Sequence, residues 1–265
     1  MAKWAFEGKA LIGMVHVGAL PGTPGSRLSV DALVSQAVAE AKVIADAGFD
    51  AVMVENMHDA PYVHGGALGP EIVAAMTRVG QAVAESVSIP MGIQILSGGN
   101  RHAVAVAQAV GGAFIRCENF VFSHVADEGL LAEAEAGGLL RYRRMVGAEH
   151  VGVYCDIKKK HASQAITADL SLGDCAEAAA FFGADAVIVT GTATGKATSL
   201  ADVGEAKRAV SIPVLVGSGV TPETVGPLFE HADGLIVGSY LKADGCWKNV
   251  VDGGRCEKVV AASRT

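Results

Sequence analysis

Three stretches of the chain carry side chains able to do chemistry. The densest is Asp156-Ile157-Lys158-Lys159-Lys160-His161. Alternate residues of an extended strand share a face, so Asp156, Lys158 and Lys160 are expected to point together, with Asp156 and Lys158 as the reacting pair. A carboxylate beside an ammonium group keeps both charged and can pass a proton; a desolvated lysine can instead form a Schiff base. A solvated basic loop is the bland alternative. Glu55, followed by Asn56, is a second candidate acid or base, set against a structural carboxylate bridging strand ends. His16, at the end of an apolar run, is a third, set against a buried and satisfied imidazole. No spacing such as His-Glu-x-x-His accompanies His16, Glu55 and Asp156, so no metal is assigned.

A different chemistry is written in Pro213-Val214-Leu215-Val216-Gly217-Ser218-Gly219-Val220 and in Gly234-Leu235-Ile236-Val237-Gly238-Ser239. Each is a short apolar run that ends in small residues. Glycine lets an anion approach backbone N–H groups closer than a Cβ allows, and a helix N-terminus adds a positive field. Thr221-Pro222-Glu223 opens such a helix as N-cap, first-turn proline and first-turn acid. Gly217, Ser218, Gly219, Gly238 and Ser239 are therefore expected to cradle a phosphate group.

The elements that must position these residues follow from periodicity. Eight apolar runs occur at 11–17, 51–54, 91–96, 113–116, 151–157, 186–190, 214–216 and 235–237. Helical patterns are expected between them over 30–47, 71–87, 101–110, 138–147, 172–183, 202–210 and 223–231. Three junctions repeat a theme, Gly48-Phe49-Asp50-Ala51, Gly183-Ala184-Asp185-Ala186 and His231-Ala232-Asp233-Gly234, and Val-Ser-Ile-Pro occurs at both 87–90 and 210–213. One βα unit is being reused. Strands that are apolar throughout, alternating with helices, imply a parallel sheet covered by helices. Eight units favour closure, so the expected fold is α/β, a (β/α)₈ barrel in a single domain spanning residues 1–265. In such barrels functional side chains sit at the C-terminal ends of the strands, and phosphate commonly sits after strands seven and eight. Those positions add Asn56, Gln94, Arg116, Thr190 and Thr194 as substrate-binding candidates, and Glu118 and Lys160 as further polar neighbours. The segments 18–26 and 119–135 are expected to form the rim.

Bulk properties exclude several classes. A net charge of −7 argues against broad nucleic-acid binding, which wants a basic footprint. The five cysteines include no Cys-x-x-Cys pair, so neither a disulfide framework nor a zinc ribbon is suggested, and a reducing cytoplasm is the expected setting. No apolar run approaches the roughly 18 residues of a membrane span. Gly-x-Gly-x-x-Gly does not follow the first strand, so no dinucleotide is implied and no cofactor is assigned. Self-association is expected of a barrel of this kind, with Phe120, Val121 and Phe122 as the apolar rim segment to mediate it.

Ile12-Gly13-Met14-Val15-His16 with Leu20-Pro21-Gly22, Val54-Glu55-Asn56 with Asp59-Ala60-Pro61, Asp156 to Ala162, Thr190-Gly191-Thr192-Ala193-Thr194-Gly195 and Gly217-Ser218-Gly219-Val220 occur in one order. Together they resemble the BtpA/SgcQ family from about residue 11 to 255. The resemblance implies a phosphate-binding TIM barrel. One family name comes from a cyanobacterial factor needed to accumulate photosystem I, the other from a gene cluster associated with sugar catabolism.

Two functional readings follow. The first is an enzyme acting on a small phosphorylated metabolite, a sugar phosphate or nucleotide-derived sugar in carbohydrate metabolism, by aldolase, isomerase or lyase chemistry, with nucleosidase or hydrolase chemistry as a variant. The second is a non-catalytic assembly factor for a membrane complex. The enzyme is favoured, because an assembly factor leaves a ring of polar strand-end residues without a purpose, and no amphipathic membrane helix is seen.

Overall fold

The computed structural model describes residues 3–191 and 197–264. Its first half runs β1 (Ala10–His16), α1 (Val30–Asp46), β2 (Ala51–Glu55), α2 (Pro70–Ser86), β3 (Met91–Gln94), α3 (Asn100–Val110) and β4 (Phe114–Cys117). A rim hairpin of β5 (His124–Ala126) and β6 (Gly129–Leu131) precedes α4 (Ala136–Met145). The second half continues through β7 (Gly152–Ile157), β8 (Ala162–Ser163), α5 (Leu172–Phe181), β9 (Ala186–Val189), α6 (Leu200–Ala209), β10 (Val214–Val216), α7 (Pro222–Phe229), β11 (Gly234–Val237) and α8 (Gly253–Ser263). Eight of these strands close in the order β1-β11-β10-β9-β7-β4-β3-β2, so each of the eight apolar runs is one barrel strand. The pairings are parallel throughout, as expected for strands that are apolar on both faces.

Two features of the chain differ from expectation. The rim segment 119–135 contains the β5–β6 hairpin, which pairs with β8 in a separate three-stranded sheet. Strands of three and two residues carry too few positions to show a period. An eighth helix, α8, closes the chain, with Asp252 accepting from the Arg255 amide as its N-cap. Its opening Gly253-Gly254 conceals the helix by propensity. Among the described residues no helix is long and apolar enough to cross a membrane.

The repeated Asp junctions have a structural explanation. Asp50 Oδ2 accepts from the Leu11 amide at 2.7 Å, Asp185 Oδ2 from the Val153 amide at 3.0 Å, and Asp233 Oδ2 from the Val214 amide at 2.8 Å. In each case an aspartate at the entrance of one strand clips the start of its neighbour. The clips satisfy amides that the ladder leaves open at the barrel's N-terminal rim.

Inside the barrel, Ala10, Ile12, Met14, Ala51, Met53, Phe114, Tyr154, Ile188, Leu215 and Ile236 form one buried cluster. Phe114 and Tyr154 stack at 4.7 Å, and Trp4 and Phe6 pack onto them from the N-terminal segment. The Tyr154 hydroxyl donates to the Lys3 carbonyl and accepts from the Ala5 amide, both at 3.1 Å. The base of the barrel is thereby plugged, and the bulky rings need space. Gly92 provides it, since a Cβ there would overlap the Phe114 ring. Gly92→Ala is therefore expected to cost about 1–3 kcal/mol through overpacking. Urea unfolding with an unchanged midpoint would refute this reading of Gly92.

Phe120 does not serve a rim interface. It is 1% exposed and packed in the main core, and Val121 and Phe122 pack partly buried against that core.

Candidate functional site

Alternation in the strands places one inward layer at the C-terminal end of the barrel. His16 ends β1, Glu55 ends β2 and Gln94 ends β3, and they are neighbours in register, His16 opposite Glu55 and Glu55 opposite Gln94. Arg116 from β4 and Asp156 from β7 continue the ring, and Thr190, Gly217 and Gly238 follow β9, β10 and β11. Two recesses open on this layer. The first, of about 190 Å³, is lined by His16, Ser218, Gly219, Ser239, Tyr240 and Arg255 among others, with Gly217 and Gly238 also in its wall. The second, of about 300 Å³, is lined by Tyr62, Gln94, Glu118, Glu128, Asp156 and Trp247 among others. Glu55, Met57, Arg116 and Lys160 belong to both.

Arg116 and Asp156 form a buried bidentate pair, Nε to Oδ2 at 2.9 Å and Nη2 to Oδ1 at 2.8 Å. Burial opposes the guanidinium charge, but Asp156 outweighs it and the pKa of Arg116 is raised. The pair explains Gly217 in a way that anion binding alone does not. A Cβ there would lie 2.6 Å from Ile188 Cγ2 and 3.0 Å from Arg116 Nη2. This glycine makes room for the guanidinium.

His16 and Glu55 form the second pair, with Nε2 and Oε2 3.6 Å apart and both side chains under a tenth exposed. His16 Nδ1 lies 3.1 Å from the Trp247 carbonyl. A carbonyl only accepts, so Nδ1 carries the hydrogen and Nε2 presents its lone pair toward Glu55. Burial, reinforced by the Lys242 charge, brings the imidazole down to about 3. Burial also raises the Glu55 carboxyl, against the pull of Arg116 and Lys160. A neutral imidazole thus faces a carboxyl held above its ordinary range, an arrangement suited to holding and releasing one proton. Behind His16, fully buried Lys242 donates from Nζ to Glu40 of α1 at 2.6 Å.

The three consecutive lysines part company. Strand β7 ends at Ile157, and Lys158 and His161 adopt positive φ of 43° and 55°. The alternation that would have grouped Lys158 with Asp156 and Lys160 ends there. Lys158 lies instead beside a small separate recess and donates to the Thr167 carbonyl at 3.2 Å. Lys159 pairs with Glu118 at 3.0 Å and Glu128 at 3.6 Å. Lys160 is the lysine in the mouth. Its amide donates to Thr190 Oγ1 at 2.9 Å, so Thr190 fixes the backbone of Lys160 and lines neither recess.

Asn56 is likewise occupied. Its Nδ2 donates to Asp59 and to the Leu96 carbonyl, and its Oδ1 accepts from the Leu96 amide. It ties the β2 and β3 loops together and lines neither recess. Gln94 does line the second recess, and its buried Oε1 has no hydrogen-bond partner among the described residues. Ser218 Oγ accepts from the Gly191 amide at 2.7 Å, which engages its oxygen in loop packing. Thr194 lies outside the described residues. Among those residues no group of three or more His, Cys, Asp or Glu is arranged to hold a metal ion.

Arg255 and Trp247 emerge only in three dimensions. Arg255 comes from α8 and holds its place by donating to the Tyr240 carbonyl at 2.5 Å and lying over the Tyr240 ring at 4.2 Å. It puts a cation beside the glycine-lined recess. Both residues lie well beyond the last strand, where no strand-end rule points.

A closed eight-stranded parallel barrel with its polar layer at the strand C-termini is a TIM barrel. The fold is shared with solved structures of low sequence similarity. Tryptophan synthase from Mycobacterium tuberculosis superposes with a TM-score of 0.61 at 18% identity, covering 97% of this chain and 93% of that one. Thiamine phosphate pyrophosphorylase from Pyrococcus furiosus gives 0.60 at 13%, covering 96% and 95%. The chain belongs to the BtpA family, whose model matches residues 7–265. An uncharacterized mitochondrial protein of Caenorhabditis elegans is 46% identical over 94% of this chain and 90% of its own length. The photosystem I biogenesis protein BtpA of Synechocystis is 34% identical over 91% and 83%.

Proposed function

We propose that this protein is an enzyme acting on a small phosphorylated metabolite, such as a sugar phosphate, by aldolase, isomerase or lyase chemistry. One observation carries the reading: a glycine-lined, cation-flanked recess shares Glu55, Arg116 and Lys160 with a second, carboxylate-rich recess. The Gly217 amide is committed to the Val189 carbonyl, so a phosphate would be held in the first by the Gly219 amide and by the turn Ser239–Leu241, whose first amides have no partner within the turn. Arg255 adds a compensating charge. The rest of the ligand would cross the shared residues, where the His16–Glu55 pair can move a proton, and end against Gln94 and Trp247. The Synechocystis relative named for photosystem I biogenesis suggests an assembly role instead. Such a role leaves unexplained why Glu55, Arg116, Asp156 and Lys160, four ionisable side chains, are gathered and desolvated at the floor of a mouth.

A ligand that binds only the folded state at 100 times its dissociation constant adds about 2.7 kcal/mol. For a domain of this size that raises the melting temperature by about 5–10 °C. Inorganic phosphate and phosphorylated sugars are expected to produce such a rise in a thermal-shift assay. Ser239→Asp, which sets a like charge at the cradle on a half-buried residue, is expected to abolish it without unfolding the protein. Full phosphate-dependent stabilisation in that variant would displace the anion from this recess.

A further inference from the structure

Of the three consecutive lysines, two are committed. Lys158 donates to a backbone carbonyl outside the mouth, and Lys159 is shared by Glu118 and Glu128. Lys160 forms no side-chain hydrogen bond or ion pair with another described residue, although it lines both recesses at their junction. Its backbone is pinned to Thr190 and flanked by two residues of positive φ, Lys158 and His161. Non-glycine residues adopt that region only at an energetic cost. The chain is thus bent, at a cost, to deliver this ammonium-bearing side chain to the point where the two recesses meet.

We propose that Lys160 forms a Schiff base with the carbonyl of a phosphorylated ketone or aldehyde whose phosphate lies in the glycine-lined recess. The proposal rests on the phosphorylated-metabolite reading above and narrows the substrate class to carbonyl compounds. The neutral Nζ adds its lone pair to the carbonyl carbon, and the C=O π pair moves to oxygen. One N–H proton then passes to that oxygen, giving a neutral carbinolamine. Glu55, whose carboxyl burial holds above its ordinary range, gives a proton to the carbinolamine hydroxyl. Water leaves as the nitrogen lone pair forms C=N. The products are a positively charged iminium, one water and the Glu55 carboxylate, so charge and atoms balance. The iminium draws electrons from the adjacent carbon, which is what C–C cleavage or loss of an α-proton requires. Hydrolysis runs the same steps in reverse and returns the proton to Glu55.

The surroundings of Lys160 favour the nucleophilic form. Burial, followed by the nearby Arg116 guanidinium, holds its ammonium below the ordinary lysine range, which enlarges the fraction of neutral amine near neutral pH. Arg116 itself is neutralised by Asp156 and keeps its own proton. It repels a second cation without competing for the carbonyl.

The test is reductive trapping. The full-length protein is incubated briefly with dihydroxyacetone phosphate or glyceraldehyde 3-phosphate, treated with sodium borohydride, and analysed by intact-mass and peptide mass spectrometry. The expected result is a borohydride-dependent adduct equal in mass to the probe less one oxygen, located on Lys160. Excess inorganic phosphate should suppress it, because phosphate and probe share the recess. Lys160→Met should lose the adduct while keeping a cooperative thermal transition without ligand, which certifies that it is folded. Absence of an adduct with both probes, or labelling unchanged by Lys160→Met, overturns the Schiff base. If phosphate still stabilises the protein in that case, the phosphorylated-metabolite reading stands without it. If phosphate stabilisation fails as well, both fall together.

Discussion

Arg116→Met is expected to destabilise the protein by about 3–5 kcal/mol, the loss typical when one partner of a buried ion pair is removed. Methionine fills much of the arginine stem's volume, so the change tests charge more than packing. It leaves Asp156, 7% exposed, with neither of its two bidentate hydrogen bonds. The double variant Arg116→Met/Asp156→Leu removes the orphaned carboxylate too and is expected to regain most of the loss. The pair matters less for its net attraction than for the cost of breaking it on one side. Urea unfolding of wild type, both single variants and the double variant measures the coupling directly. An Arg116→Met protein within about 1 kcal/mol of wild type, below the low end of this range, would show that the pair is not desolvated as described.

The second large effect concerns acid. Buried His16 titrates at about 3 in the folded protein, against an ordinary value of 6.5. Between those values the unfolded chain binds a proton that the folded chain refuses, so stability is present above pH 6.5 and lost progressively as pH falls toward 3. The full window corresponds to roughly 5 kcal/mol. Glu55 works in the opposite sense. Its raised carboxyl takes up a proton in the folded state before the unfolded chain does, so it offsets part of the loss as pH falls toward its ordinary value of 4.5. His16→Gln cannot titrate in this range. Its stability is expected to fall less than that of wild type between pH 7 and pH 4, so the gap between the two proteins should change with pH. Parallel curves across that range would mean that His16 is not held neutral by burial.

The barrel was legible because its signal is repeated. Eight apolar runs, separated by helical periods and punctuated by Gly48, Gly183 and the aspartates 50, 185 and 233, point to one architecture however blurred each boundary is. The site was legible only as far as strand alternation holds. His16, Glu55, Gln94 and Arg116 all lie on or at the end of regular strands, and parity puts them on the inner face. Lys158 lies one residue beyond β7, where a positive φ breaks parity, and Lys160 takes the position in the mouth. Asn56 and Thr190 are strand-end polar residues as expected, yet their hydrogen bonds go to Leu96, Asp59 and Lys160. Residue type does not distinguish a group that meets a ligand from one that holds a loop. Arg255 was out of reach for another reason: it enters from a helix that opens on two glycines, far from any strand terminus.

The aspartate clips also bear on the order in which the chain can close. Asp50 reaches back 39 residues to β1, Asp185 reaches 32 to β7, and Asp233 reaches 19 to β10. Each is a short loop, and loop-closure entropy grows with the logarithm of length. The contact between β11 and β1 joins ends more than two hundred residues apart, as the Ala10 amide donating to the Asp233 carbonyl illustrates. That seam is the entropically dear one, by about 0.6 kcal/mol for each doubling over the clipped loops. Gly238 follows β11 on one side of the seam, and His16 ends β1 on the other. Both line the recess proposed above for phosphate; an anion held there would bind only the closed barrel, so its binding free energy would add to the closure that local clips cannot reach.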